Sequence, residues 1–279
     1  MPQLRYRLLN VFAETPFGGN PLVVVEDGSA LSTEQMQLVA RQFNLSETTF
    51  LLPSASAAAR VRIFTPTHEM PFAGHPTLGS AQVVRGLHHA GDRFALEMQA
   101  GLIPVTAAGD CWTLRANPPS YRPLQASAAE LAAMLGLPEQ ALGGPALWVD
   151  CGTEQPLIPL AGVEHVRACR PDPEALARLC VNPAGQVRAY VFARTADGFE
   201  SRYFSLRGAA GIGEDPGTGS ACANLGGWWR ATQGSRPLVA RVSQGTAIGR
   251  PNLLHLQVDG GEIRVGGRVV EIGSGELHW

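Results

Sequence analysis

The spacing of apolar and polar positions predicts a mixed α/β chain from its first residues. Arg5 to Ala13 and Leu22 to Val25 have the character of strands, the second a short continuous apolar run of the kind a buried strand carries. The stretch between them, Thr15-Pro16-Phe17-Gly18-Gly19-Asn20-Pro21, is rich in turn formers. Met36, Val39, Ala40 and Phe43 then recur at helical spacing, and Ser32 with Gln35 ahead of them makes a capping-box pattern, so a helix is expected there. Thr49 to Leu52 and Arg60 to Thr65 follow as extended segments, and Pro66 to Pro76 as a polar loop punctuated by Gly and Pro. Thr77 to Leu87 carries apolar residues in nearly every helical direction, which predicts a helix buried on most sides.

A shift of 140 residues brings two segments into register without a gap. Arg62-Ile63-Phe64 falls on Arg202-Tyr203-Phe204, and His75-Pro76-Thr77-Leu78-Gly79-Ser80-Ala81 falls on Asp215-Pro216-Gly217-Thr218-Gly219-Ser220-Ala221. Each copy has a strand, a loop, then Pro and Gly opening an apolar helix, the pattern a duplication leaves. The chain is therefore divided near the Pro-rich stretch Asn117 to Gln125, expected to be a linker. The second half predicts helices at Ala128 to Leu137 and Thr218 to Ala231, and strands near Ala146 to Val149 and Val187 to Ala193. Four short strands close it, at Leu238 to Val242, Leu253 to Val258, Glu262 to Val265 and Arg268 to Ile272, with Gly266-Gly267 expected to turn the chain between the last two.

Composition narrows the chemistry. All 22 basic residues among 279 are arginine, which removes a Schiff-base lysine and the phosphate-contacting lysine of a P-loop. The net charge of −2 with scattered arginines argues against a nucleic-acid surface. No apolar run approaches the roughly 20 residues a membrane-spanning helix requires, and residues 1–17 lack the apolar core of a signal peptide. The five cysteines include no C-x-x-C pair, so a reduced, cytoplasmic protein without a disulfide frame or zinc knuckle is expected. Histidines show no metal-ligand spacing, and the string from Gly208 to Gly213 fails the dinucleotide fingerprint because Pro216 stands where its third glycine belongs. Neither a metal nor a nicotinamide or flavin site is expected.

Helices opening with Pro, Gly and Ser offer free backbone N–H groups to an anion such as a substrate carboxylate. If the two copies face one another, His75 and Asp215 become equivalent proton-handling groups flanking one bound carboxylate. Alternatively both are simply helix-cap residues. From spacing alone, Ser46-Glu47-Thr48-Thr49 is as compatible with a solvated turn as with a site.

Four ordered motifs resemble those of the PhzF phenazine-biosynthesis family: Phe17-Gly18-Gly19-Asn20-Pro21, Leu45-Ser46-Glu47-Thr48, Pro71-Phe72-Ala73-Gly74-His75-Pro76-Thr77 and Glu214-Asp215-Pro216-Gly217-Thr218-Gly219-Ser220-Ala221. The tail, with Gln244-Gly245, Gly249-Arg250-Pro251 and Val265-Gly266-Gly267, is similar to that family's C-terminal pattern, so the resemblance spans essentially the whole chain. It implies an α/β (α+β) fold of the diaminopimelate-epimerase-like class, with two pseudo-symmetric lobes, each a curved mixed sheet or barrel around a central helix. The lobes would span residues 1–120 and 121–279, the last strand being a candidate to pack on the N-terminal lobe, and the site would lie between them.

Carried over by residue, the resemblance makes Glu47 the principal acid/base, with His75 and Asp215 beside it as catalytic groups. Asn20, Ser46, Gly74, Gly219 and Ser220 become substrate-binding residues. The implied activity is cofactor-independent isomerisation, moving a proton between carbons of a small carboxylate-bearing, cyclic amino or hydroxy acid, in a homodimer. Ionised Glu47 would remove the proton and the resulting acid return it on the same face, with enclosure raising its pKa. The resemblance extends more weakly to two-cysteine racemases, but His75-Pro76 and Asp215-Pro216 stand where those thiols are expected, and Cys222 is expected to be a packed helix residue. A two-base epimerase using Glu47 and Asp215, and a non-catalytic binding or regulatory protein, stay open.

Overall fold

The computed structural model describes residues 3–208 and 211–278. The chain forms two compact units: residues up to Arg115 together with those from Gly266 onward, and Ala116–Val265. Among the described residues no helix is long and apolar enough to cross a membrane.

In the first unit the strands are β1 (Gln3–Val11), β2 (Asn20–Val25), β3 (Glu47–Leu52), β4 (Ala59–Phe64), β5 (Glu69–Met70), β6 (Arg93–Met98), β7 (Gly101–Ala108) and β8 (Cys111–Arg115). Its helices are α1 (Thr33–Phe43) and α2 (Gly74–His88). The second unit holds β9 (Ser120–Pro123), α3 (Ala128–Leu135), β10 (Leu147–Asp150), β11 (Glu154–Pro159), α4 (Val163–Ala168), α5 (Pro173–Leu179), β12 (Arg188–Arg194) and β13 (Gly198–Leu206). It continues through β14 (Ile212–Asp215), α6 (Gly219–Gln233), β15 (Leu238–Gln244) and β16 (Asn252–Asp259), and β17 (Glu262–His278) carries the chain back to the first unit, where it pairs antiparallel with β1.

The duplication seen in the sequence is present in the pairing pattern. From β1 to β7 the pairs run antiparallel (β1 and β2), parallel (β2 and β3), antiparallel (β3 and β4), parallel (β4 and β6) and antiparallel (β6 and β7). From β10 to β16 the same succession recurs: β10 antiparallel to β11, β11 parallel to β12, β12 antiparallel to β13, β13 parallel to β15, β15 antiparallel to β16. The parallel pairs need helical crossovers. In the first unit α1 supplies one, in the second α4 and α5 do. Each unit wraps its strands against one central helix, α2 against β1, β2, β3, β4 and β8, and α6 against β9, β10, β11 and β16.

The local signals explain the peripheral helices. Ser32 caps α1 with the full reciprocal box to Gln35, and Ser127 caps α3 the same way with Glu130; each cap is worth about 1 kcal/mol. Met36 and Ala40 of α1 bury against Val23, Val25, Phe50 and Phe64. In α2 every residue from His75 to Ala81 is buried, as expected of a central helix.

Three expectations are corrected. The stretch from Pro66 to Pro76 is not one loop: Glu69–Met70 pair with β4, and α2 begins at Gly74. The expected linker contains β9, which pairs with β10. Gly266-Gly267 makes no turn, because β17 runs through it as one strand; a Cβ on Gly266 would lie 2.3 Å from the Trp112 carbonyl oxygen, so glycine is there for close approach rather than for reversal. The strands from β6 to β8, β11, and helices α4 and α5 were not anticipated.

Candidate active site

Glu47 is the first residue of β3, paired with Leu22 of β2, and not a solvated turn. Side chains alternate along a strand, so Glu47 and Thr49 share the face that meets α2. Thr49 Oγ1 lies 2.9 Å from Ser80 Oγ of α2, both buried, and Glu47 Oε2 lies 3.4 Å from His75 Nε2. The two side chains of this pair are only 15% and 7% exposed.

His75 occupies the second position of α2, and Gly74 the first. Burial drives the imidazole down to about 3, against an opposing hydrogen bond to the Pro21 backbone. It is therefore neutral near pH 7, and its approach to Glu47 is not an ion pair. A ring nitrogen donates to the Pro21 carbonyl, and Nε2 has no hydrogen-bond partner among the described residues. The donor is therefore Nδ1, which leaves the Nε2 lone pair facing Glu47 Oε2. A lone pair in that position can accept a proton from a carboxylic acid. Asn20 is buried at the start of β2, and Ser46 is half-buried immediately before Glu47.

In the second unit Asp215 ends β14, opposite Tyr203 of β13. Thr218 Oγ1 donates to its carboxylate, while Gln244 Nε2 donates to its carbonyl at 2.8 Å and to Thr218 Oγ1 at 2.9 Å. Gln244 Oε1 also accepts from the Thr218 amide. Gly245, with φ +80°, follows this glutamine; a Cβ there would lie 2.5 Å from the Pro216 carbonyl oxygen, so only glycine lets the chain pass so close. Ser220, second in α6 after Gly219, accepts from Gln155 Nε2 at 3.0 Å. Gln155 Nε2 also donates to the Tyr203 hydroxyl, and Gln155 Oε1 accepts from Asn224. Burial pushes the Tyr203 phenol up to about 12, so it stays protonated.

The two central helices open without a side-chain cap, as the short α4 does. Neither Ala73 before α2 nor Thr218 before α6 makes a side-chain cap hydrogen bond, whereas α1, α3 and α5 are all capped. His75 and Asp215 are thus not caps. Nor are they equivalent. The strand pairs set Phe64 opposite Glu69 and Phe204 opposite Glu214, with a connection five residues longer in the second unit. Beyond it the matching offset changes: Asp215 corresponds to Met70, and Ser220 to His75, each second in its helix. The strand pairs also match Phe50, opposite Arg62, with Val191, opposite Arg202, so Glu47 corresponds to Arg188.

Sequence reasoning missed Gln155, Asn224 and Thr218 as parts of this framework, and it quoted Gln244 only as part of a motif. Neutral amides and hydroxyls leave no spacing signal; Gln155 is 1% exposed, and only its buried contacts reveal it. Cys222 is fully buried on α6 and its thiol is pushed up by burial, in keeping with a packing role. Among the described residues no three or more His, Cys, Asp or Glu side chains are grouped to hold a metal.

Against known families, residues 9–275 match the PhzC-PhzF model, described as phenazine biosynthesis-like protein. An uncharacterized isomerase of Pasteurella multocida is 42% identical, with 98% of this chain and 93% of that protein covered. The trans-2,3-dihydro-3-hydroxyanthranilate isomerase of Pseudomonas aeruginosa is 35% identical over 94% of this chain and 92% of its own. Among solved structures, a PhzF-family phenazine biosynthesis protein of Bacillus anthracis superposes with a TM-score of 0.88 at 25% identity, each chain fully covered.

Proposed function

The chain belongs to the phenazine biosynthesis-like PhzC-PhzF family, has the diaminopimelate-epimerase-like α+β fold and is an isomerase, and from that premise we propose that Glu47 is the group that carries its proton. Glu47 as carboxylate removes a proton from a carbon next to an unsaturated system, and Glu47 as acid returns it to a second carbon on the same face. The observation that carries this reading is the buried pair of Glu47 and neutral His75, 3.4 Å apart, with the Nε2 lone pair toward the carboxyl. That lone pair offers an acceptor to the acid form. The pair can therefore hold an abstracted proton without creating a separate buried charge, and a hydrogen-bonded carboxyl group keeps its orientation between the two transfers.

Asp215 is the second proton-handling group proposed, held by Thr218 and Gln244. The uncapped starts of α2 and α6, at Gly74 and at Gly219-Ser220, supply N–H donors suited to a substrate carboxylate and to charge developing on it. Asn20 and Ser46, beside Glu47 in the same motif set, complete the proposed binding residues. The substrate class is a small cyclic amino or hydroxy acid, and a cytoplasmic homodimer is part of the same reading.

The test is deuterium incorporation at carbon in D2O. A panel of small cyclic amino and hydroxy acids would include trans-2,3-dihydro-3-hydroxyanthranilate, which the Pseudomonas aeruginosa relative is named for. We expect labelling that Glu47→Gln abolishes and Asp215→Asn slows. Labelling of equal rate in Glu47→Gln contradicts the assignment. Exchange at a single stereocentre, lost from one epimer in Glu47→Gln and from the opposite epimer in Asp215→Asn, would select a two-base epimerase instead, and binding without exchange a non-catalytic protein.

A further inference from the structure

Both units contain the same half-buried clamp, and in both its glutamate lies five residues before the central helix begins. In the first unit Arg62 of β4 grips Glu69 of β5 through two hydrogen bonds, Nε to Oε1 at 2.7 Å and Nη2 to Oε2 at 2.6 Å. In the second, Arg202 of β13 grips Glu214 of β14 the same way, at 3.0 and 2.7 Å. Each guanidinium lies over the phenylalanine two residues along its own strand, 5.1 Å from the Phe64 ring and 4.7 Å from the Phe204 ring. Each also reaches a peripheral helix. Arg62 donates to Thr33 Oγ1 at the start of α1, and Arg202 to the Cys169 carbonyl oxygen just past α4, at 2.9 Å.

The second clamp is the drier, with side chains 11% and 8% exposed. Desolvation makes a buried ion pair a weak source of stability, and apolar residues of similar volume often serve as well or better. What the pair supplies is geometry: a planar fork fixes its partner in two directions, which neither lysine nor an apolar contact does. Glu214 and Asp215 are adjacent on β14, so their side chains leave opposite faces of the strand. Fixing Glu214 to Arg202, and Arg202 to the chain beyond α4, sets the position of the strand end from which Asp215 projects.

We propose that Arg202 and Glu214 are the positioning pair for Asp215, the clamp holding the end of β14 so that the carboxylate next to it meets substrate in one orientation. Neither side chain touches the reacting atoms. The role rests on the assignment of Asp215 made above, and the duplicate at Arg62 and Glu69 places the same device ahead of Gly74 and His75.

The experiment is a double-mutant cycle on deuterium incorporation, using whichever acid of the panel the unaltered protein labels. Arg202→Met with Glu214→Leu replaces the pair by apolar side chains and is expected to keep the fold. It should lower kcat by about ten-fold to a hundred-fold, the scale of misplacing a catalytic group by an ångström, and change KM little. In an Asp215→Asn background the same replacement should cost nothing further, since a pair acting through Asp215 has nothing left to position. Arg202→Lys, which keeps the charge and loses the fork, should fall between, which gives a second measure if the apolar pair unfolds. Full turnover by the folded apolar pair, beside a crippled Asp215→Asn, overturns the clamp alone. So does a loss that multiplies unchanged with that of Asp215→Asn. Full turnover by Asp215→Asn, or no labelling by the unaltered protein, overturns the reading of the site and the clamp with it.

Discussion

Glu47 and Asp215 are carboxylates in two units built on one strand pattern, and their surroundings differ in kind. Glu47 faces an imidazole that burial keeps neutral, at the junction of a strand and a central helix. Asp215 sits at a strand end with a hydroxyl donating to its carboxylate and an amide donating to its backbone. A carboxyl group with a neutral acceptor beside it is suited to gaining and losing a proton during turnover. A carboxylate gripped by a neighbouring hydroxyl at a fixed strand end is suited to acting in one orientation. The duplication therefore did not place the same side chains at matching positions of the two units. At the position of His75 the second unit has Ser220, and at the position of Glu47 it has Arg188.

The largest effect should come from breaking the first environment. Glu47→Gln keeps the shape but cannot carry a proton, and turnover should fall by about 10³-fold, within the usual range for loss of a general acid/base. Asp215→Asn should cost roughly 10²-fold by the same measure, toward the lower end of that range. Equal losses would erase the distinction drawn between them.

Next comes the pH dependence of folding set by His75. Its imidazole titrates near 3 in the folded chain, against an ordinary value of 6.5, so between those limits the unfolded chain binds a proton that the folded chain refuses. Stability is unaffected above about pH 6.5 and falls as the pH drops toward 3, by about 1.4 kcal/mol per unit from this residue. Denaturant midpoints against pH should show that slope in the unaltered protein and a shallower one in His75→Gln. Long-range proton–nitrogen NMR spectra should place the His75 proton on Nδ1 at pH 7. The smallest effect should be Thr218→Ala, which removes one hydroxyl donor from Asp215 and should slow turnover by about ten-fold, equivalent to about 1.4 kcal/mol for a charge-assisted bond.

Part of this was legible from letters alone. The Ser32 and Gln35 box, the helix it opens, the nearly all-round apolar run of α2 and the duplication itself follow from local chemistry. Glu47 does not, because what makes it a candidate is the parallel pairing of Glu47 with Leu22 and the face it shares with Thr49, both set by contacts distant in the chain. The motif resemblance singled it out where spacing could not. The gapless 140-residue match located the repeated strand and then misassigned the pairing of His75 with Asp215. Similar Pro and Gly letters lined up across a hairpin connection that is five residues longer in the second copy. Gly266-Gly267 misled for a related reason, since a glycine pair in sequence looks the same whether it reverses the chain or lets two backbones approach.

The central claim is that one buried carboxyl group both removes and returns the proton, and it is tested most directly by following the hydrogen itself. Substrate deuterated at the carbon that loses its proton should be turned over in ordinary water and the product examined at low conversion. A single shielded Glu47 predicts that part of the label reappears at the receiving carbon of the same molecule. Product that carries only solvent hydrogen at that position, from the first turnover onward, would contradict it.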